Sequence, residues 1–461
     1  MRGFTGGNAR ATRGCMSVIR IIGGRELHGT VQVGGSKNAT LAILSGVVLC
    51  SSPVVLRRVP QVRDVQIKAR LLEDLGAVVL WDGDTLSIDC SKLRAEEADA
   101  DLVRSIRTSF YLLGPLVARL GVARLPQPGG CRIGARPVDF HVRGLKQLGA
   151  EIEYSAGYYS AKADRLVAGE IYLDFPSAGA TQHLMASAVL AEGQTVIKNA
   201  AMEPEVVALA DFLNRIGARV EGAGTSTITV TGVTSLRGGE FVIPADRLQA
   251  GTLLLAGVAT RGEVTVKDIL PEHQGALLSK LKEAGAHVAV GHDWISAKGN
   301  PFLQAISIKT MPYPGFSTDM QQPMASVLTC AHGVSTVEET IYESRIGHID
   351  ELNRMGAKIR LEGRTAVITG VDHLQGTVVE ATDLRAGAAL VLAGLAARGE
   401  TVVKNVEHID RGYEKLEETL RALGGEVERI SDALDSGGAG PWLTGGETRA
   451  TGREGATGWS G

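Results

Sequence analysis

An α/β architecture of six repeated units is the fold class this sequence predicts, and three observations predict it. A helix-end phrase recurs as Leu75-Gly76-Ala77, Leu148-Gly149-Ala150, Ile216-Gly217-Ala218, Ala284-Gly285-Ala286, Met355-Gly356-Ala357 and Leu423-Gly424-Gly425. Its glycines stand 73, 68, 68, 71 and 68 residues apart. Glycine suits the left-handed position just past a helix, so each phrase marks a helix stop. Second, each phrase follows an amphipathic stretch, as at 206–215 and 349–354, and precedes a β-rich run, as at 218–220 and 358–361. Third, most units also carry a small-residue apolar helix, a glycine turn and a strand, as at 186–198, 252–267 and 388–404. The unit reads β-α-β-α-β-β over about 70 residues. Helices made of Ala, Leu, Val and Gly do not suit a wet surface, so they form the buried layer with the sheets outside. Gly-Ala after a helix is common in any α/β protein; the near-equal intervals carry the argument.

At the N-terminus, residues 1–16 hold Arg2, Arg10 and Arg13 without an apolar run, which excludes a secretory signal. Met16 precedes a strand pattern at 17–22 and reads as a natural start, with 1–16 a disordered extension. The stretch 38–56 is long and uncharged, yet Ser45, Ser51, Ser52 and Pro53 interrupt it. It reads as a buried helix running into a turn and strand, not a membrane span. Residues 431–461 are rich in Gly, Thr and Ser and read as a disordered tail.

The whole chain of 461 residues allows two to four domains at roughly 100–200 residues each. With 48 basic and 51 acidic side chains the formal charge is −3, which argues against nucleic acid as a partner. The 58 glycines show no collagen period and imply many turns and close backbone approaches. The five cysteines are odd in number and lack a CxxC pair, so they suggest neither a disulfide framework nor zinc, and suit a reducing, cytoplasmic setting. No metal-ligand cluster or cofactor motif is visible, and neither HExxH, GxSxG nor a helix-opening GxGxxG occurs.

Two segments carry candidate chemistry. Gly34-Gly-Ser-Lys37-Asn38 ends a strand and opens an apolar helix, where backbone N–H groups and one Lys form an anion site. It lacks the P-loop spacing, and a plain glycine turn with a solvated Lys is the competing reading. The loop 126–137 holds Cys131 followed by Arg132 and Arg136 among glycines and prolines. Positive charge favours a thiolate at Cys131, and the same arginines could hold a phosphate or carboxylate. Cys15, Cys50, Cys90 and Cys330 have no such context and read as small apolar residues. Arg107, Arg385 and Arg411 stand at corresponding turns and, with Lys37 and Arg136, suggest a cationic cluster for a small polyanionic substrate. Asp319 and Asp383 are candidate bases, although a turn Asp is more often a cap.

Taken together, Lys37-Asn38, the loop 128–139, Ser177-Ala-Gly-Ala-Thr181, Thr318-Asp-Met-Gln321, Thr382-Asp-Leu-Arg385 and His408-Ile-Asp-Arg-Gly-Tyr413 resemble the UDP-N-acetylglucosamine enolpyruvyl transferase family. The resemblance runs from about residue 18 to 430. It implies two inside-out α/β barrel domains, one of 37–243 carrying a catalytic loop near 126–137, the other of 17–36 with 244–430. The chain would cross between them near Ser36 and Pro244, with the active site in the cleft. The implied reaction moves the enolpyruvyl group of phosphoenolpyruvate to the sugar 3′-hydroxyl and releases phosphate, the first committed step of peptidoglycan synthesis.

By position, Cys131 would protonate C3 of phosphoenolpyruvate and form a phospholactoyl adduct, and Asp319 would receive the hydroxyl proton. Lys37, Arg136 and Arg411 would hold phosphate, and Arg385 with Arg411 the carboxylate. Asn38 and Arg107 would line the cleft, while Pro137, Val138, Asp139, Ser177, Gly179 and Ile341 would meet the UDP-sugar. Cell wall biogenesis, cell shape and division, a cytoplasmic location and fosfomycin sensitivity follow from the same resemblance. Phe175-Pro176 stands where relatives often carry Lys, Ser344 replaces Asn, and Gly347 a bulkier residue. The sister enzyme acting on shikimate 3-phosphate lacks the loop cysteine. A non-catalytic paralogue and a six-repeat ring around DNA are the alternatives from other classes.

Overall fold

The computed structural model describes residues 17–94, 98–130, 133–134 and 137–431. Within the compact unit Ser17–Ile430, six sheets form, five of four strands and one of three. One unit shows the pattern. Strand Glu170–Tyr172 lies parallel to Gln194–Lys198, which pairs antiparallel with Thr227–Thr231, which in turn pairs with Arg219–Glu221. Helices Ala178–Ala188 and Pro204–Arg215 make the two connections, giving the β-α-β-α-β-β order the sequence predicts.

Three sheets borrow a strand from elsewhere in the chain. Gly239–Val242 lies parallel to Val54–Arg57, closing the first set of repeats with its own last strand. His28–Gln32 lies parallel to Glu263–Lys267, and Ser17–Ile22 pairs with Glu400–Lys404, so both N-terminal strands serve late repeats. The three-stranded sheet, Val122–Pro126, Tyr158–Lys162 and Glu151–Ser155, lacks the parallel edge strand. In the chain before it stand a helix at Ala100–Ser105 and a 3-10 turn at Arg107–Leu112.

The buried apolar side chains fall into two clusters, one drawn from residues 41–243, the other from 19–33 and 248–427. Helices such as Arg247–Ala259 and Leu384–Ala396 fill the second cluster, and residues 384–395 of the latter are buried on every face. Alanine and glycine make this feasible, because only short side chains let a helix be surrounded by other elements at close distance. The two parts meet where the chain crosses twice. Ser36 N–H donates to the Pro244 carbonyl at 2.7 Å, and Asp246 N–H to the Gly34 carbonyl at 3.0 Å.

Each of the six helix-stop glycines has positive φ, between 86° and 108°. At each, the residue after the glycine donates back to a carbonyl five residues earlier, as Ala77 to Leu72 and Ala357 to Leu352, both within 3.1 Å. The glycine itself donates to a carbonyl three residues earlier, the paired closure of a helix end. A methyl added at Gly356 would meet nothing within 4 Å, whereas at Gly76 it would stand 2.8 Å from the Lys92 carbonyl oxygen. Gly356→Ala should therefore cost about 1–2 kcal/mol of left-handed strain alone, and Gly76→Ala measurably more. Urea unfolding of the two variants checks the order; equal losses would refute it.

Candidate active site

Five inner helices begin on one cleft, each with a capping side chain. Ser36 accepts from Ala39 N–H, Ser177 from Ala180 N–H, Asp246 from Leu248 and Gln249 N–H, Ser317 from Asp319 N–H, and Asp383 from Arg385 and Ala386 N–H. The first residues of these helices are therefore equivalent positions of different repeats. They are Lys37-Asn38, Ala178-Gly179, Arg247-Leu248, Thr318-Asp319 and Leu384-Arg385, and all line the cavity. Helix N-termini favour anions, and five pointed at one space strengthen that preference.

The cavity has a volume of about 410 Å³. Of the sequence-predicted residues, Lys37, Asn38, Arg107, Pro137, Asp139, Ser177, Gly179, Asp319, Ile341, Arg385 and Arg411 line it. Val138 stands at the N-terminal boundary of the helix Asp139–Gln147, is buried, and is not among the lining residues. Cys131 and Arg136 lie outside the described residues. Residues 133–134, which are described, lie against residues 343–344. Ser344 N–H donates to the Ile133 carbonyl at 3.1 Å, joining segments that belong to different core clusters in the chain. Gly134 has φ +143°, a backbone conformation that favours glycine, and a methyl there would sit 2.6 Å from the movable carboxylate of Glu343.

Asp319 sits at the centre. Arg345 donates to its Oδ1 at 2.7 Å and Arg385 to its Oδ2 at 3.1 Å. Burial alone would push its carboxyl up, but Arg345, Arg385 and Lys37 together hold it well below the usual carboxylate range. Arg385 is itself fully buried and also donates to the Tyr413 hydroxyl at 2.8 Å, which meets Thr252 at 2.8 Å. Thr318 donates to Glu339 at 2.7 Å, and Glu339 accepts the Ile341 and Tyr342 N–H groups at 2.7 and 3.0 Å. That buried carboxylate fixes the turn carrying Ile341.

Sequence reading identified Asp139, Asp319 and Asp383 with the arginines, and missed Asp64, Glu203, Glu205, Arg247 and Arg345. Among the described lining residues, the cations are Lys37, Arg107, Arg247, Arg345, Arg385 and Arg411. The carboxylates are Asp64, Asp139, Glu203, Glu205, Asp319 and Asp383, equal in number. Of the expected cationic cluster, Lys37, Arg107, Arg385 and Arg411 thus stand among as many carboxylates as cations within the described residues, while Arg136 lies outside them. Arg247 is paired with Glu205 through bonds of 3.0 and 3.1 Å, and Arg411 with Asp64. Glu203 is raised above the ordinary carboxylate range by burial, with the neighbouring Glu205 adding to it. Repeat phase was the signal that could have found Arg247, since Asp246-Arg247 occupies the place of Ser36-Lys37. Arg345, Glu205 and Asp64 carry no such mark.

Among the described residues, Cys50, Cys90 and Cys330 are unreactive by environment. Burial pushes the Cys50 and Cys90 thiols up to about 12, and Cys330 upward as well. No cluster of metal-ligating side chains occurs among the described residues.

The comparisons with known proteins agree with this geometry. A family model described as EPSP synthase (3-phosphoshikimate 1-carboxyvinyltransferase) matches residues 21–420. The enolpyruvyl transferase NikO from Streptomyces tendae superposes with a TM-score of 0.81 at 26% identity, covering 91% of this chain and 100% of its own. EPSP synthase from Acinetobacter baumannii shares the fold, with a TM-score of 0.68 at 18% identity over 90% of this chain. The class is therefore the enolpyruvyl transferases, and the inside-out pair of repeated α/β barrels is their architecture. UDP-N-acetylglucosamine 1-carboxyvinyltransferase 2 of Carboxydothermus hydrogenoformans is 49% identical over 90% of this chain and 100% of its own length. The UDP-N-acetylglucosamine 1-carboxyvinyltransferase of Desulfatibacillum aliphaticivorans is likewise 49% identical, over 90% and 100%. The chain belongs to the UDP-N-acetylglucosamine 1-carboxyvinyltransferase family.

Behind the cleft, Lys68 is fully buried and donates to the Thr108 carbonyl at 2.6 Å, just after Arg107. Burial lowers its amine well below the ordinary lysine range. The unfolded chain therefore holds a proton on Lys68 that the fold gives up, from the unfolded value near 10.4 down to the folded one. In that window stability rises with pH. Wild-type stability relative to Lys68→Met should accordingly increase between pH 7 and pH 10, read by urea unfolding at both. A constant difference would refute the buried neutral amine.

Proposed function

We propose that this chain transfers the enolpyruvyl group of phosphoenolpyruvate to the 3′-hydroxyl of UDP-N-acetylglucosamine, releasing inorganic phosphate. The observation that carries it is Asp319, held by Arg345 and Arg385 where capped helix ends bring Lys37 and Arg385 into one cleft. The names of the relatives, matched over their whole length, supply the acceptor.

The Cys131 thiol gives its proton to C3 of phosphoenolpyruvate, making C2 electrophilic. The sugar oxygen bonds to C2 while its proton passes to Asp319. The tetrahedral ketal then breaks its C2–O bond to phosphate, and a proton leaves C3 to restore the double bond. Lys37, Arg136 and Arg411 bear the phosphate charge, and Arg385 with Arg411 the carboxylate, so charge that develops meets fixed cations. Asn38 and Arg107 line the reacting end, and Pro137, Val138, Asp139, Ser177, Gly179 and Ile341 hold the nucleotide sugar.

Asp319 as it stands is a poor proton acceptor, because two arginines hold it ionised. When Arg385 turns to the substrate carboxylate, Asp319 loses one of them and its basicity rises. The base is thus armed by substrate binding. Residues 37–243 and 17–36 with 244–430 act as two domains that close on the substrates and expel water. Cell wall synthesis in the cytoplasm is the setting this reading implies.

Phosphate release should occur with UDP-N-acetylglucosamine as acceptor and not with shikimate 3-phosphate; the reverse would sink the reading. Asp319→Asn should lower kcat by about 10²–10⁴-fold, the usual worth of a positioned acid or base. Fosfomycin, an alkylating phosphoenolpyruvate mimic, should inactivate the wild type progressively and leave Cys131→Ser unmodified by mass spectrometry. Wild-type protein that stays unmodified at saturating inhibitor would refute the role given to Cys131.

A further inference from the structure

Asp64 stands second in the helix Arg63–Asp74, packed in the cluster of residues 41–243. Its carboxylate is buried, with 7% of the side chain exposed. Oδ1 accepts from Arg411 Nε at 2.9 Å and Oδ2 from Arg411 Nη2 at 3.4 Å, across 347 residues of sequence. Lys37 Nζ lies 3.7 Å from the same Oδ2. Arg411 ends the 3-10 turn Val406–Arg411, which packs with the other cluster. A second bond runs beside this one, from Gln61 N–H to Glu414 at 3.0 Å. The segment 61–64 therefore lies directly on 411–414.

A buried carboxylate is retained at a cost unless its partners are fixed. Two parallel bonds to a guanidinium fix the plane of the fork as well as its position, which one ammonium cannot do. Asp64 is thus the group that sets where Arg411 points, and Arg411 comes from the opposite side of the cleft to Lys37. We propose that Asp64 is a positioning residue of the phosphate site: it draws Arg411 across the cleft and holds its fork beside Lys37, so that both cations meet one phosphoryl group. This rests on the enolpyruvyl-transfer reading. Asp64 needs no contact with substrate; it acts through Arg411.

The test is steady-state kinetics of Asp64→Asn, Asp64→Glu, Arg411→Ala and the Asp64→Asn/Arg411→Ala double variant, each with a thermal melt. In Asp64→Asn the KM for phosphoenolpyruvate should rise by about tenfold or more, the scale of a lost buried charge pair, while the KM for UDP-N-acetylglucosamine stays within about twofold. Asp64→Glu, which restores the charge, should recover part of the loss. In the Arg411→Ala background, Asp64→Asn should add little, because residues acting through one group are not additive.

Equal rises in both KM values, unchanged kinetics, or a loss that multiplies in the double variant would each overturn the proposal. If Asp64→Asn fails to fold, Asp64→Glu decides: a selective rise for phosphoenolpyruvate supports it, and wild-type values overturn it. Wild-type protein that releases no phosphate with the nucleotide sugar would overturn the functional reading and this inference with it. Wild-type turnover with an unaltered Asp64→Asn would overturn this inference alone.

Discussion

A buried guanidinium has to be paired, and the cleft is arranged around that constraint. Arg385 and Arg345 are almost wholly inaccessible, and Asp319 answers both. Asp64 answers Arg411 and Lys37, and Glu205 answers Arg247. The pairs Asp64–Arg411 and Glu205–Arg247 join residues of one core cluster to residues of the other. Charge balance and the mutual placement of the two cores are therefore one property. A ligand that brings its own negative charge meets cations that these carboxylates already hold in place.

The repeat explains why these groups can converge. Every inner helix must be small-sided and apolar to be surrounded by its neighbours, which leaves its polar chemistry to its first turn. Capping by Ser or Asp at that turn satisfies the exposed N–H groups and orients the next two side chains. Repetition then delivers several such turns to one place, and divergence among them supplies a lysine, an aspartate and two arginines. Asp246 goes further. Its Oδ1 caps its own helix, and its Oδ2 accepts from Lys37 N–H at 3.0 Å, so one carboxylate serves two helix starts at the crossing.

The part of this legible in sequence was local or periodic. The glycine after each outer helix is demanded by left-handed backbone, so its spacing disclosed the six units before any topology was known. Lys37, Asp319 and Arg385 were legible because they lie in motifs at helix starts. The origin of the parallel edge strands was not, since Gly239–Val242 and His28–Gln32 complete sheets whose other strands lie far off in the chain. Asp64 and Glu205 read as ordinary acidic residues in the first turn of an amphipathic helix. Only the tertiary arrangement turns them toward a cation 347 or 42 residues away. Counting arginines alone passed over the carboxylates that accompany them among the described residues.

The tension at Asp319 follows from the same balance. A carboxylate bonded to two arginines is stable as an anion and weak as a base, which suits a resting site and ill suits proton transfer. Removing either arginine would strengthen the base but leave its orientation to a single partner. In the proposed reaction a substrate carboxylate resolves this, because it can take over Arg385 while Arg345, donating also to Thr318 at 3.0 Å, stays where it is. Arg345 then keeps Asp319 oriented, and the departing Arg385 sets the moment at which it can accept a proton. Two arginines on one aspartate are on this view unequal, one a fixed support and the other a ligand-exchanged clamp. Their surroundings already differ: Arg385 is tied to a tyrosine hydroxyl by its other nitrogen, and Arg345 to the helix start that carries Asp319 itself.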